Sequence, residues 1–286
     1  MKIGALNSSL RRPLPETVKK YADMGIQGIQ LQITPEHLIF TNERLHEIRQ
    51  ICEDAGLVIS AVCGDIACTH FGVANEWKDR VELHKRAVDI AVILGTSVIT
   101  THIGAVPSDP ADPVYPIMIE SIRTAAEYSA SRGTVFAIET GPEKADILLR
   151  LLRDADTKGL GVNLDPANLR MVSCEDPVHA VELLGKYIVH THAKDGINLY
   201  PGSAAAAYGM REPDGTLRKF QERASEYREV PLGQGQVPWD SYLKALKNAG
   251  FDGFLTIERE CGNDPEGDIR MAVDFLKSKL LKNSLQ

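Results

Sequence analysis

The sequence lacks the features that mark several large classes of protein. It has five cysteines but no CxxC pair, and no apolar run is long enough for a signal sequence or a membrane span. Its formal net charge is -7, whereas proteins that bind nucleic-acid backbones usually carry a basic surplus on one face. These absences predict a reduced, cytoplasmic protein with no nucleic-acid partner and no membrane partner.

Three potential zinc ligands, Cys63, Cys68 and His70, lie close together in the segment GDIACTH. Their spacing is irregular and no second pair of ligands follows, whereas structural zinc sites usually use two regularly spaced pairs. Buried or loop thiols are therefore the preferred interpretation of these cysteines.

The sequence repeats one kind of helix-to-strand junction seven times. A helical segment ends in glycine and is followed at once by a short run rich in Val and Ile. The glycines are Gly25, Gly56, Gly95, Gly133, Gly159, Gly185 and Gly250. Glycine suits the left-handed conformation just past a helix, and runs that are apolar on both faces are typical of buried parallel strands. With KIGAL at the amino terminus, these runs predict eight strands.

Amphipathic segments with apolar residues three and four positions apart separate the predicted strands, among them NERLHEIRQICEDA and IMIESIRTAAEYSAS. No GxGxxG follows the first strand, as it does in doubly wound dinucleotide-binding folds. Eight strand and helix units in one chain therefore predict an α/β fold, the (β/α)8 TIM barrel. No linker or shift in composition divides the chain, which predicts a single TIM-barrel domain over residues 1–286.

The interval between Gly185 and Gly250 is more than twice as long as the two intervals before it. The excess predicts an insertion of about residues 197–236 in the loop after strand 7. Loops after strands form the functional rim of this fold, so the insertion is expected to border the site. A decorated surface loop is the alternative. The residues that could line a pocket or a subunit interface are Tyr200, Tyr208, Tyr227, Arg211, Arg218 and Arg223.

Strands five to eight each end with a residue that can bind a metal. Residues two apart on a strand face the same side, and this parity places Glu139, Asp165, His192 and Glu258 on the inward face. Three carboxylates so close together would repel one another without a cation. The set predicts one divalent metal ion, Mn²⁺, Co²⁺ or Mg²⁺, with Zn²⁺ also compatible. His190 lies one layer deeper, where it would orient His192. The alternative interpretation is that the four predicted ligands are ordinary polar residues at strand ends.

Four segments carry a resemblance to known proteins: AIETG around Glu139, GVNLDPANL around Asp165, HTHAKDG around His192 and GFLTIERE around Glu258. They resemble the metal-ligand segments of the xylose isomerase-like TIM-barrel superfamily, the sugar phosphate isomerase/epimerase family. The resemblance implies that these residues hold one divalent ion and that Glu139 and Glu258 are the catalytic acid/base pair. It also implies proton abstraction next to a sugar carbonyl through a metal-stabilised enediolate.

The predicted substrate-binding residues are His102, Asn168, Lys194 and Glu260, and the expected partner is a small-molecule carbohydrate. Ketose 3-epimerases carry His at the place of Asn168, which weakens the case for a free-ketohexose epimerase. The HAKD form looks more like the isomerase and dehydratase branch. Gln30 stands where many relatives have Glu. Barrels of this group commonly pair, and the resemblance allows a homodimer or a homotetramer.

Three other functions compete with a sugar isomerase. A keto-polyol dehydratase, an inosose dehydratase-like lyase, shares the metal site and the first step. Endonuclease IV, a DNA-repair relative, requires a further His at the place of Asn168 and fits the acidic charge poorly. A barrel that binds sugar without turnover would be expected to lack a ligand, and none is missing. The stretch LGQGQVPW could cradle a phosphate, although turn chemistry explains the same glycines.

Overall fold

A computed structural model of the protein describes residues 1–66 and 70–284, so Cys68 lies outside the described residues. The strands of this part of the chain are β1 (Lys2–Leu6), β2 (Gly28–Gln32), β3 (Val58–Cys63), β4 (Val98–Thr101), β5 (Val135–Glu139), β6 (Leu160–Leu164), β7 (Ile188–Ala193), β8 (Asp195–Tyr200), β9 (Glu226–Val230) and β10 (Phe254–Ile257).

The helices are α1 (Leu14–Met24), α2 (Asn42–Asp54), α3 (Trp77–Leu94), α4 (Val114–Ser131), α5 (Ala145–Ala155), α6 (Pro166–Met171), α7 (Pro177–Leu184), α8 (Ala204–Tyr208), α9 (Trp239–Asn248) and α10 (Pro265–Ser284). Over the described ranges 1–66 and 70–284, no helix combines the length and the apolar character needed to cross a membrane.

Eight of the strands close into a parallel barrel in the order β1-β10-β7-β6-β5-β4-β3-β2. Lys2 of β1 pairs with Phe254 of β10, which joins the first and last strands of the barrel. All five residues of β6 are buried, as expected for a parallel strand covered on its outer face by helices. The predicted (β/α)8 TIM barrel is confirmed, and the carboxyl ends of its strands meet at one rim.

Five of the seven junction glycines have the predicted left-handed backbone conformation, and at the other two the prediction is wrong. The left-handed glycines are Gly25, Gly56, Gly95, Gly133 and Gly250. At Gly159 a methyl group would lie 1.8 Å from the carbonyl oxygen of Ala126, so the close approach of α4 is what requires glycine. The left-handed residue after α5 is Asp156, with φ 44°. Gly185 has φ -46° and begins a 3₁₀ turn.

The predicted insertion folds into a hairpin and a short helix. β8 pairs antiparallel with β9, and α8 lies between them. We call residues 195–236 the inserted segment. It is tied to the rim because Arg218 donates to Asp112 at 2.5 and 3.1 Å and also to Glu212. Its β9 carboxylate, Glu229, pairs with Arg259 in the loop after β10. These contacts hold the segment against the loops that follow β4 and β10.

The layer between barrel and helices contains a buried histidine. His84 of α3 is 4% exposed, its ring lies 4.3 Å from that of Phe136 in β5, and its Nε2 shares a 2.9 Å hydrogen bond with Ser129 of α4. Burial lowers the pKa of His84 from 6.5 to about 3 because the charged ring would lose its hydration. The folded protein therefore keeps this ring neutral in mild acid.

We expect His84 to make the protein less stable as the pH falls from about 6.5 toward 3. In that window the unfolded chain binds a proton at this ring and the folded chain does not, so the free energy of unfolding falls by up to about 1.4 kcal/mol per pH unit. The penalty is absent above pH 6.5. Urea denaturation of His84→Gln between pH 7 and 4.5 should show a shallower pH dependence, while exposed His46→Gln should match the wild type. An unchanged slope in His84→Gln would contradict the assignment.

Candidate metal centre

Four acidic and imidazole side chains meet at the carboxyl-terminal rim of the barrel. Glu139 ends β5, Asp165 follows β6, His192 lies near the end of β7 and Glu258 follows β10. One ligand atom from each lies within 4.8 Å of the others. Two ligands on opposite sides of an ion, each about 2.1 Å from it, are about 4.2 Å apart, so this spacing suits a single small cation. The structure brings together the four predicted ligands, whose coordinating role stays a prediction.

Asp165 is held by the start of α6. Its Oδ1 accepts hydrogen bonds from the backbone N–H groups of Ala167 at 2.7 Å and Asn168 at 3.0 Å, as an N-cap residue does, and Pro166 occupies the first helical position. Its Oδ2 is buried and, in the described part of the chain, has no hydrogen-bond partner. Asp165 can therefore cap α6 through Oδ1 and bind a metal through Oδ2, because each role uses a different oxygen.

The orientation of His192 is set from across the barrel. Its Nε2 lies 3.0 Å from Oε1 of Gln30, and the Gln30 amide donates at 2.8 Å to Thr100. The amide nitrogen of Asn163 also lies 3.2 Å from Nε2, so Nε2 faces two amide side chains and Nδ1 faces the carboxylates. That Nδ1 lies 3.2 Å from oxygens of Glu139 and Glu258 but makes no hydrogen bond within residues 1–66 and 70–284. Nδ1 is therefore the nitrogen available to a metal.

Replacing Gln30 with leucine should lower the affinity for Mn²⁺ by about tenfold to a hundredfold. Leucine removes the amide that contacts Nε2 and so frees the rotation of the His192 ring, and partners behind a metal-binding histidine typically have effects of this size. Gln30→Glu restores an acceptor at the same place and should bind Mn²⁺ as tightly as the wild type or more tightly. Calorimetric titration compares the three proteins. Wild-type affinity in Gln30→Leu would show that Gln30 does not orient the ring.

The electrostatics of the cluster favour a positive charge at its centre. Burial alone would lower the pKa of His192, but the carboxylates of Glu139 and Glu258 outweigh it and raise that pKa well above its ordinary value. Burial would raise the pKa of Glu258, but Lys194 and His192 hold it well below its usual range. Two unpartnered buried ligand atoms among three carboxylates fit a divalent ion. An oxygen-rich set with one imidazole suits Mn²⁺, Co²⁺ or Mg²⁺.

Lys194 lies deeper than a rim residue. It is 4% exposed, and its Nζ donates to Glu258 at 3.0 Å and to Glu260. Two carboxylates therefore already surround its ammonium group. Glu260 keeps its side chain 62% exposed. The substrate-binding roles of both residues stay predictions.

Amide side chains hold Glu139 in place. Asn163 donates at 3.2 Å to Oε2, and Asn168 lies 3.4 Å from Oε1 while also donating to the Thr140 carbonyl. His190 hydrogen-bonds Asn163 at 2.9 Å on one side and Thr256 on the other. His190 thus supports the layer beneath the cluster through Asn163.

His102 reaches the cluster from β4 with the help of Asp65. The Asp65 carboxylate accepts from the His102 backbone N–H at 2.8 Å and lies 2.7 Å from Nδ1. Nε2 then lies 3.6 Å from Oε1 of Glu139. Burial lowers the pKa of His102, but Glu139 and Asp65 outweigh it and raise that pKa to about 10. His102 is one of the predicted substrate-binding residues, whereas no sequence pattern pointed to Asp65.

The arrangement agrees with what family comparison finds. The model of the family described as "Xylose isomerase-like TIM barrel" matches residues 18–279, a range that contains all four cluster residues. The chain belongs to this family.

Two curated relatives in this comparison are uncharacterized proteins. YfiH of Bacillus subtilis is 33% identical over 131 residues, which are 45% of this chain and 40% of YfiH. MJ1311 of Methanocaldococcus jannaschii is 25% identical over 224 residues, 72% of this chain and 62% of MJ1311. Both alignments span less than two thirds of the relative's length.

Solved structures share the fold of this xylose isomerase-like barrel. A xylose isomerase domain protein from Planctomyces limnophilus has a TM-score of 0.78 at 24% identity, covering 94% of this chain and 93% of that one. The probable 3-DHS dehydratase AsbF of Bacillus anthracis has a TM-score of 0.73 at 20% identity, covering 97% and 99%. A D-tagatose 3-epimerase-like protein has a TM-score of 0.73 at 19% identity, covering 99% of both chains. These identities show the fold alone.

An open cavity of about 280 Å³ leads to the cluster of this xylose isomerase-like protein. Its wall includes residues that sequence reasoning missed: Arg11, Gln32, Cys63 and Asp65. The backbone of Arg11 has a left-handed conformation, with φ 56°. Its guanidinium group donates to the carbonyl oxygens of Glu260 and Gly262. A larger cavity of about 720 Å³ lies near β1 and α10, but none of the predicted site residues lines it.

The glycine-rich stretch of LGQGQVPW surrounds a carboxylate of the protein itself. Asp195 is 1% exposed and accepts from the backbone N–H groups of Gly233 at 3.0 Å and Val237 at 3.2 Å. It also accepts from Gly196 and, at 2.9 Å, from the indole N–H of Trp239. The donors that could have cradled a phosphate are therefore used by Asp195. Turn chemistry, the alternative interpretation, describes this stretch better.

Proposed function

We propose that the protein is a divalent-metal-dependent enzyme that isomerises or epimerises an uncharged sugar or sugar derivative. The observation that supports it most is the pair Glu139 and Glu258. These carboxylates enter one cluster from strands separated by β6 and β7, beside two buried ligand atoms that have no hydrogen-bond partner among the described residues. Both glutamates line the same open cavity.

The chemistry that such a site can perform is proton transfer next to a carbonyl. When bound, a divalent ion supplies positive charge that offsets the negative charge developing on the carbonyl oxygen. One glutamate removes the proton, and the other returns it to the same or the neighbouring carbon. Asn163 and Asn168 keep Glu139 aimed at the centre, and Lys194 keeps Glu258 ionised. Glu139, Asp165, His192 and Glu258 would hold the ion.

The charges around the cavity support an uncharged substrate. Lys194 is taken up by Glu258 and Glu260, and Arg259 by Glu229 and Asp268. Acidic residues of the wall are Asp65, Glu139, Glu258 and Glu260. Against these four carboxylates the wall offers the positive charges of Arg11 and His102, so a phosphate group would still meet more negative than positive charge.

Incubation in heavy water with free ketoses and with their phosphate esters tests this proposal. We expect about one divalent ion per chain and deuterium at the carbon next to the carbonyl of a free ketose. Lack of exchange across a broad panel would contradict the proposed chemistry. Faster exchange with the phosphate esters would contradict the uncharged substrate while leaving the chemistry in place.

A keto-polyol dehydratase is the second candidate, and the pair of His102 and Asp65 favours it. Dehydration requires a group that protonates the departing hydroxyl in addition to the base that removes the carbon-bound proton. His102 lies 3.6 Å from Glu139 and could serve as that group. Mass spectrometry separates the candidates, because a dehydratase yields a product lighter by one water.

A further inference from the structure

The inserted segment places an aromatic side chain against the loop that follows Glu139, near the ring of His102. Tyr208 is the last residue of α8, and a methyl group built on Gly141 would lie 3.3 Å from its Cε1 and 3.7 Å from its hydroxyl oxygen. Gly141 follows Glu139 by two residues, and the ring of Tyr208 lies 6.4 Å from that of His102. The tyrosine is therefore packed over the loop that leaves β5.

The hydroxyl of Tyr208 is a free donor. Within residues 1–66 and 70–284 it forms no hydrogen bond, although the residue is only partly exposed. Burial, and then the negative charge of Glu139, raise the pKa of Tyr208 well above its ordinary value, so the hydroxyl keeps its proton. Partly buried tyrosine hydroxyls usually find a partner, and here the partner is missing.

The position of Tyr208 is fixed by its surroundings. Met210, two residues later, accepts at 2.8 Å from the backbone N–H of Arg218, whose guanidinium is held by Asp112. Pro213 accepts at 2.8 Å from the backbone N–H of Ala74 in the loop after β3. The segment on the carboxyl-terminal side of Tyr208 is thus tied to two loops of the rim. A side chain so held needs little ordering when a ligand binds.

We propose that Tyr208 is a substrate-binding residue whose hydroxyl donates a hydrogen bond to an oxygen of the sugar lying beside Glu139. This inference rests on the proposed function for its choice of ligand. The ring packs against the loop after β5, and the hydroxyl would make the polar contact. The insertion would thereby take part in substrate selection as well as in the structure of the rim.

The first test compares Tyr208→Phe with the wild type in the heavy-water exchange assay. We expect unchanged Mn²⁺ content and a kcat/KM about tenfold lower, since one hydrogen bond is lost. Tyr200→Phe is the matched control because Tyr200 is 37% exposed and packs against Arg223 in the outer part of the segment. Wild-type kcat/KM in Tyr208→Phe would overturn the inference.

The second test does not require turnover. Addition of xylitol or D-tagatose to the Mn²⁺-loaded protein should change the tyrosine ultraviolet absorbance, and the change should be absent from Tyr208→Phe. If the signal appears in the wild type but no ketose exchanges, the proposed function fails and the inference stands. If the wild type gives no signal with either probe, or if Tyr208→Phe retains it, the inference is overturned.

Discussion

Replacing Glu258 with glutamine should slow solvent deuterium exchange at the ketose carbon by at least about a thousandfold. A positioned acid or base typically contributes a hundredfold to ten-thousandfold, and this change also removes a charge from the cluster. Lys194 would lose its ionic partner at 3.0 Å at the same time. The rate should be measured at saturating Mn²⁺, so that weaker metal binding is separated from the loss of the base.

The controls for Glu258→Gln are a counterpart and a surface variant. Glu139→Gln should be slowed to a similar degree, because the two carboxylates share the proton transfers. Glu226→Gln, on the exposed part of β9, should behave as the wild type. Circular dichroism confirms that each protein is folded. Full activity in both Glu139→Gln and Glu258→Gln would remove the acid/base assignment.

Replacing Asp195 with alanine should lower the free energy of unfolding by about 4 kcal/mol. The change leaves four donors without their acceptor, and each buried unsatisfied group costs about 1–3 kcal/mol before any relaxation. The donors are the N–H groups of Gly196, Gly233 and Val237 and the indole of Trp239. Urea denaturation followed by circular dichroism and tryptophan fluorescence measures the loss.

Asp195→Asn is the conservative comparison. It keeps one acceptor oxygen and places an amide where the other stood, so roughly half of the loss is expected. A change below about 1 kcal/mol in Asp195→Ala would mean that water or a backbone shift satisfies the donors.

The positions of the four cluster residues could be predicted from strand periodicity, because alternate residues of each barrel strand face the interior. Glu139 and Glu258 each lie two residues beyond an inward-facing neighbour, and the barrel brings the ends of the strands to one rim. The same alternation extends to His102, which directly follows β4. Its partner Asp65 lies in the loop after β3, where no period applies.

Other features depend on contacts between residues that are far apart in the sequence, and no local pattern predicts these contacts. Gln30 of β2 contacts His192 of β7 across the barrel, a contact set by closure of the sheet. The inserted segment has no repeated pattern, and its antiparallel hairpin was not predicted. Lys194 is buried between Glu258 and Glu260, two carboxylates that lie more than sixty residues away along the chain.

The dual use of Asp165 bears on how the protein behaves without metal. Since Oδ1 caps α6 while Oδ2 stays uncommitted, departure of an ion would leave the helix intact. Glu139 is likewise held through Asn163. Chelation should therefore yield a folded apoprotein that binds metal again quickly. Selectivity among cations would then depend on the fixed spacing of the four ligand side chains rather than on refolding.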